Sequence, residues 1–331
     1  MNFNDVRRVP FQLGMVAEIV KIWNQEVAQT TIYAPFTKQS FIAEIVNNKY
    51  FNKDGMVVYQ IGKEIIGFGL ATFSDQKDTT PGYLVFIVVK AKYQRLGIGK
   101  EILTILENYL RENNKTKIRM MFLNPINLKW LIPNTINHLH PNAPGVPTGS
   151  VWYHFLINNG FINTGPRQDG YYQEISNYHH SKAITNKINE NEKDGYIIKL
   201  YNQETDYGFK ELFRALNNPT WEKVVANNLK KRVPDPMLVI VKDDEILGWT
   251  GPLYTTKDKR GYFAGIGVHP KAQKRGLGSC LFSELINYSK LNKARYLSLF
   301  TGENNVASKI YLKAGFKVVQ SFEILSKEIA S

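Results

Sequence analysis

The chain has 331 residues, with 42 Lys and Arg against 29 Asp and Glu, 43% apolar residues and one cysteine, Cys280. That length fits two compact domains of roughly 150 residues each, and a lone cysteine excludes a disulfide scaffold, a CxxC redox pair and a cysteine-built zinc site. The net charge of +13 is spread, with 18 basic and 13 acidic side chains in residues 1–175 and 24 and 16 in residues 176–331. It therefore marks no phosphate track or basic tail, and no nucleic-acid partner is expected.

No run approaches the roughly 18 to 20 apolar residues of a membrane span. Residues 1–10 carry Asp5, Arg7 and Arg8 with no apolar secretory core behind them. The expectation is a cytoplasmic protein with no membrane partner; nothing in the sequence sets its oligomeric state.

Helical periodicity at 11–27 and 40–48 comes first, followed by alternating runs at 56–61 and 64–73. A third run, 83–89, leads into Gln94, Arg95, Leu96, Gly97, Ile98, Gly99 and Lys100. There a helix begins whose Ile98, Ile102, Ile105, Leu106 and Tyr109 share one face. A strand at 118–123 and a helix at 151–159 close this half, separated by an insertion at 124–150 rich in Pro and bearing Trp130, His138 and His140. An insertion of that length usually has a role, here either an acceptor wall or an interdomain brace. Two histidines without a third ligand do not make a metal site, and the same holds for His179 and His180.

The polar stretch 176–195 reads as a linker between domains at 1–175 and 196–331. Beyond it the order of events repeats. Helices at 205–216 and 220–230 precede runs at 237–241 and 245–253. The run 262–268 then leads into Gln273, Lys274, Arg275, Gly276, Leu277, Gly278 and Ser279. A helix follows with Leu277, Leu281, Phe282, Leu285 and Ile286 on one face, then a strand at 296–300 and a helix at 305–314. Both final helices stop at a Gly-Phe pair, Gly160-Phe161 and Gly315-Phe316, as a left-handed glycine C-cap followed by a core aromatic would. Two mixed α/β (α+β) domains result, each a mixed, mostly antiparallel central sheet flanked by helices.

Two glycines one residue apart at a helix start let main-chain N–H groups face outward with no Cβ in the way, and the helix adds its partial positive charge. Lys274 and Arg275 add cations, as a diphosphate would favour. One such turn is explained equally well by sterics; two in the same context point to an anion cradle. A P-loop is excluded, because no Gly-Lys-Ser or Gly-Lys-Thr follows, and the GxGxxG spacing of dinucleotide sites is missing.

The order strand, [QR]xxGx[GA], helix, strand, then NxxAxxxYxKxGF resembles the GNAT superfamily of N-acetyltransferases, and two copies resemble its tandem members. QKRGLG at 273–278 and NNVASKIYLKAGF at 304–316 carry the resemblance, with Asn304, Ala307, Tyr311, Lys313, Gly315 and Phe316 on the motif. It implies acetyl-CoA as co-substrate, without a metal, and a small-molecule or peptide amine as acceptor. The diphosphate would sit on 273–279 and the pantetheine along Ile266, Gly267 and Val268, on a strand that splays from its neighbour and offers a main-chain N–H to the thioester oxygen. Tyr311 would protonate the departing thiolate, and Asn304 would contact the cofactor or cap its helix.

In the first half Ile87, Val88 and Val89 with Gln94 to Lys100 keep the cofactor elements. Leu156 stands where Tyr311 does, and Gly149 stands where Asn304 does. That half is expected to be catalytically impaired, with Tyr153 as a substitute acid if it is not. The general base is not identified; Glu303 is one candidate and a water chain another. A different class of reading is an acyl-CoA-binding sensor or scaffold that does not turn over.

Overall fold

The computed structural model describes residues 6–329. The chain divides into two units, one running to Gly170 and resuming at Val319, the other spanning Tyr171–Val318.

The first unit opens with β1 (Val6–Pro10), α1 (Val16–Trp23) and the short α2 (Lys38–Phe41), the latter two each continued by a π-helical turn. Then come β2 (Met56–Ile61), β3 (Glu64–Phe73), β4 (Gly82–Val89), α3 (Ile98–Glu112) and β5 (Lys117–Met120). The insertion forms three two-residue strands, β6 (Trp130–Leu131), β7 (Leu139–His140) and β8 (Val146–Pro147), before α4 (Val151–Asn158) and β9 (Ile162–Asn163). The periodic faces behave as expected: Ile98, Ile102, Leu106 and Tyr109 are buried against the sheet.

β10 (Gln168–Glu174) carries the chain into the second unit, where α5 (Lys182–Lys193), β11 (Ile197–Leu200), α6 (Phe209–Ala215) and α7 (Pro219–Leu229) follow. The stretch expected to be a linker is therefore a helix for most of its length. Ser181 caps it by accepting the Ile184 N–H, and it packs against the helix after the second cradle. A weak apolar stripe among many polar residues hid it.

β12 (Leu238–Lys242), β13 (Glu245–Gly251), β14 (Tyr254–Thr255), β15 (Arg260–Tyr262), β16 (Gly265–Val268), α8 (Leu277–Leu291), β17 (Tyr296–Gly302) and α9 (Ala307–Lys313) complete this unit. Leu277, Leu281, Phe282, Leu285 and Ile286 of α8 are all buried. β18 (Lys317–Glu323) leads back, and β19 (Leu325–Glu328) lies in the first unit's sheet, antiparallel to β5 and to β9. The first sheet thus runs β1-β2-β3-β4-β5-β19-β9. The strand between β5 and the edge strand β9 comes from the end of the chain, which local periodicity does not reveal.

Both predicted glycine caps form. Gly160 has φ +87° and Gly315 has φ +96°. The Phe161 N–H reaches the Leu156 carbonyl at 3.1 Å and the Phe316 N–H reaches that of Tyr311 at 3.0 Å, the paired main-chain bonds of a Schellman ending.

Candidate active site

In the second unit the expected strand at 262–268 is two strands. β15 runs parallel to β17 through Arg260 and Gly261, whereas β16 pairs with β13 and, among the described residues, not with β17. The sheet therefore opens beside β16. The first unit does the same without a break: β4 meets β5 only at Gly82 and Tyr83, and the rest of it pairs with β3.

Strand geometry determines which main-chain groups face the opening. The His269 N–H bonds to the Leu247 carbonyl at 2.8 Å and the Lys90 N–H to that of Ile66 at 2.9 Å. Alternation along an antiparallel ladder then commits Gly267 and Val88 to their neighbouring strands and turns Ile266 and Val268, like Ile87 and Val89, into the gap. The Gln273 side-chain amide donates to the Val268 carbonyl at 2.9 Å, and Gln94 does the same to Val89 at 2.8 Å. The first residue of each motif thus ties the loop to the end of the splayed strand.

The loops that follow also match. Lys274 (φ +66°) and Gly276 (φ +76°), like Arg95 (φ +60°) and Gly97 (φ +87°), are left-handed, and each glycine is the N-cap of its helix, α8 or α3. Such alternation curls successive N–H groups around a concavity, to which the first-turn amides of Leu277, Gly278 and Ser279, or Ile98, Gly99 and Lys100, add donors without helical acceptors. The Leu277 and Ile98 side chains point into the cores, while Leu96 is exposed. The second glycine of each pair lies close to the final helix and to the splayed strand. A Cβ at Gly278 would stand 3.3 Å from Ile310 and 3.9 Å from Val268; at Gly99 it would stand 3.4 Å from Phe155 and 3.8 Å from Val89. The final helix of each unit therefore lies beside the cradle and the splayed strand.

Tyr311, on α9, is buried among Tyr171, Phe282 and Phe316, with ring centroids 4.9 to 6.4 Å away. It belongs to the core cluster against which Ile266 and Val268 pack. Burial, with a smaller contribution from Tyr171, pushes its hydroxyl up to about 12, so it stays protonated at neutral pH. No hydrogen bond holds that hydroxyl among the described residues. Leu156, at the matching place on α4, is wholly buried, and Tyr153 lies one turn earlier on the same helix, half-buried against that core.

Asn304 does not cap its helix. It lies exposed in the turn after β17, and Asn305 accepts the Ala307 N–H at 2.9 Å instead. Glu303 is exposed in the same turn. Arg275 turns away from the cradle: its guanidinium meets Asp194 at 3.1 Å and lies 5.0 Å from the centre of the Tyr196 ring. Lys274 and Lys100 are exposed beside their loops. The buried Cys280 thiol is pushed up to about 11 by burial, which leaves it unreactive at neutral pH.

Two features escaped sequence reasoning. Gly265 and Gly267 have no side chains because the Trp221 indole of α7 occupies that face of β16. A Cβ at Gly265 would collide with the indole, and one at Gly267 would lie 3.0 Å from it. The spacing G-x-G within a strand was the available signal. The insertion, for its part, packs within its own unit. Trp130 is fully buried, donates to the Asn142 carbonyl at 3.0 Å and meets Phe322 at 5.2 Å.

With the sheet opened beside one strand and a left-handed glycine cradle at the next helix, twice over, comparison with known proteins becomes decisive. The acetyltransferase (GNAT) family model matches residues 20–129 and 196–316. The chain belongs to the GNAT family. It carries two GNAT domains, and solved structures agree at the level of fold. A fungal multi-domain GH3 β-N-acetylglucosaminidase, described as having a GCN5-related glucosamine N-acetyltransferase region, superposes with a TM-score of 0.70 at 15% identity over 97% of this chain. This chain spans only 38% of that one. A GCN5-related N-acetyltransferase from Sphaerobacter thermophilus gives 0.65 at 12% identity, covering 99% of this chain and 97% of the other. A tandem GNAT protein from the clavulanic acid biosynthesis pathway gives 0.60 at 14%, covering 98% and 99%. No curated protein sequence matches the chain significantly. Among the described residues no cluster of metal-ligating side chains occurs, and no helix is long and apolar enough to cross a membrane.

Proposed function

We propose that this GNAT protein is an N-acetyltransferase whose second unit moves an acetyl group from acetyl-CoA to a primary amine. Acetyl-CoA supplies the activated acyl group. Residues 273–279 hold its diphosphate through main-chain amides and the helix start, and the gap-facing groups of Ile266 and Val268 line its pantetheine arm. A main-chain N–H at the end of β16 polarises the thioester oxygen. The amine attacks the thioester carbon directly and its nitrogen releases a proton to water as the C–S bond breaks, and the Tyr311 hydroxyl gives its proton to the leaving thiolate and regains one from solvent. The observation that carries this reading is Tyr311 itself, a buried, protonated phenol in the core cluster against which the splayed strand packs.

The first unit keeps the cradle and the opening but has Leu156 in place of the acid. We assign it cofactor binding with impaired turnover, the non-catalytic role that the sensor reading would give the whole chain. The acceptor is a small molecule or a peptide amine; the fungal neighbour's glucosamine activity puts amino sugars first in a screen. Thiol release from acetyl-CoA across an amine library, run on the wild type and on Tyr311→Phe, tests the proposal. Release with at least one amine, lost in the variant, supports it. No release with any amine returns the protein to the sensor class.

A further inference from the structure

The helix α5 lies outside both stretches that match the family model, 20–129 and 196–316, yet it borders the second cradle. A Cβ at Gly276 would stand 3.0 Å from Cγ of Lys187, 3.3 Å from its Cδ and 3.8 Å from its Cε. The lysine stem therefore runs along the cradle's left-handed glycine. At the matching Gly97 a Cβ would have nothing within 4 Å. The Asn191 side chain, one turn further along α5, donates to the Arg275 carbonyl at 3.2 Å, and Asp194, just past the helix, takes the Arg275 guanidinium.

These contacts exchange the cations at this site. Arg275, the motif residue expected to meet a diphosphate, is fastened to Asp194 and the Tyr196 ring. The Lys187 stem lies against the cradle's Gly276, and among the described residues its ammonium pairs with the exposed Glu190 one turn on. An exposed pair of this kind is weak, whereas a diphosphate offers more charge together with the helix-start amides. We propose that Lys187 is the cation that binds the cofactor's diphosphate in the second unit, with Glu190 as the carboxylate it leaves on binding. The inference rests on the assignment of 273–279 as the acetyl-CoA cradle. It adds that α5, a helix of the second unit outside the matched stretches, supplies part of the site.

The test is calorimetry of the full chain carrying Gly97→Asp, so that the second unit's binding is read, with CoA and with 3′-dephospho-CoA. Lys187→Met keeps the stem and removes the charge. It should weaken both ligands by roughly tenfold, the order expected for one charge-assisted contact, make binding fall less steeply with salt, and leave the melting temperature unchanged. Glu190→Gln should tighten binding about twofold, and Arg275→Met should cost less than Lys187→Met. If Lys187→Met binds like its parent while Gly276→Asp in the same background abolishes binding, the role of Lys187 is refuted and the cradle stands. If Gly276→Asp also binds normally, both assignments fall. A loss seen with CoA but not with 3′-dephospho-CoA would place Lys187 on the 3′-phosphate and overturn the diphosphate assignment.

Discussion

At the starts of α3 and α8 the chain follows one path twice. Left-handed residues fall at the same two positions, the same glutamine amide ties down the preceding strand, and the second glycine of each loop has the same spacing to its neighbours within about 0.1 Å. The surroundings of the two loops differ. In the first unit the face of β4 that corresponds to Gly265 and Gly267 carries Phe86 and Val88. Phe86 is sealed beneath Trp23, Phe41 and Phe68 at 5.5 to 6.5 Å, and Leu156 replaces the phenol. In the second unit that face is bare glycine under a half-buried Trp221, and Tyr311 is present. A main-chain binding device survives changes of side chain because it needs only glycines and φ angles, while a proton donor is lost with a single substitution.

The largest expected effect is on chemistry. Tyr311→Phe should lower thiol release about 100-fold or more, the usual worth of a positioned acid, while CoA affinity in calorimetry stays within twofold. Leu156→Tyr sharpens the contrast: Leu156 is fully buried, so the larger phenol has no room made for it there and should yield no turnover. Unchanged release in Tyr311→Phe would remove the functional difference between the units.

Next in size is stability. Leu325 of β19 is fully buried in the first unit's core, so Leu325→Ala should cost about 3 kcal/mol, and the loss should fall on the first unit. Lys327 of the same strand pairs with the buried Glu107 of α3 at 2.7 Å. Hydrogen exchange should therefore speed up in α3 and β5 and hold steady in α8. Equal acceleration in α8 would show that the units do not divide at Gly170 and Val319.

The sequence carried the parts of this comparison that depend on local rules. The repeated glycine turns, the Gly-Phe endings and the apolar faces of α3 and α8 are where periodicity and left-handed φ put them. Residues 176–195 misled because α5 buries little along its length, so its periodicity is faint. The break between β15 and β16 and the return of β19 to the first sheet depend on strand pairing over long separations, which no local pattern encodes. Arg275 is the sharpest case at the site. Its place in the motif was legible, but the Asp194 and Tyr196 that draw it away were not.

The smallest effect concerns acid. Glu64, at the start of β3, is held down to about 2, chiefly by its hydrogen bond from Lys90, then by those from Lys92 and Tyr93. Its unfolded value is about 4.3. The stability it adds to the first unit is therefore complete above about pH 5 and drains as pH falls towards 2. Because the pair is partly exposed, the loss is small. Glu64→Gln should flatten the acid limb of the first unit's unfolding curve without altering that of the second. An unchanged acid limb would show that Glu64 gains nothing on folding.

The assignment of binding to both cradles and turnover to one is tested most directly by thiol release at limiting acetyl-CoA in Gly97→Asp and Gly276→Asp. Asp is among the side chains that adopt a left-handed φ, and each variant sets a carboxylate against the diphosphate; at Gly276 its Cβ would also press on the Lys187 stem, so the melting temperature of each variant is read alongside. Gly276→Asp should abolish release while Gly97→Asp keeps most of it. Full release from Gly276→Asp, with release lost in Gly97→Asp, would place the chemistry in the unit without the tyrosine and contradict the account.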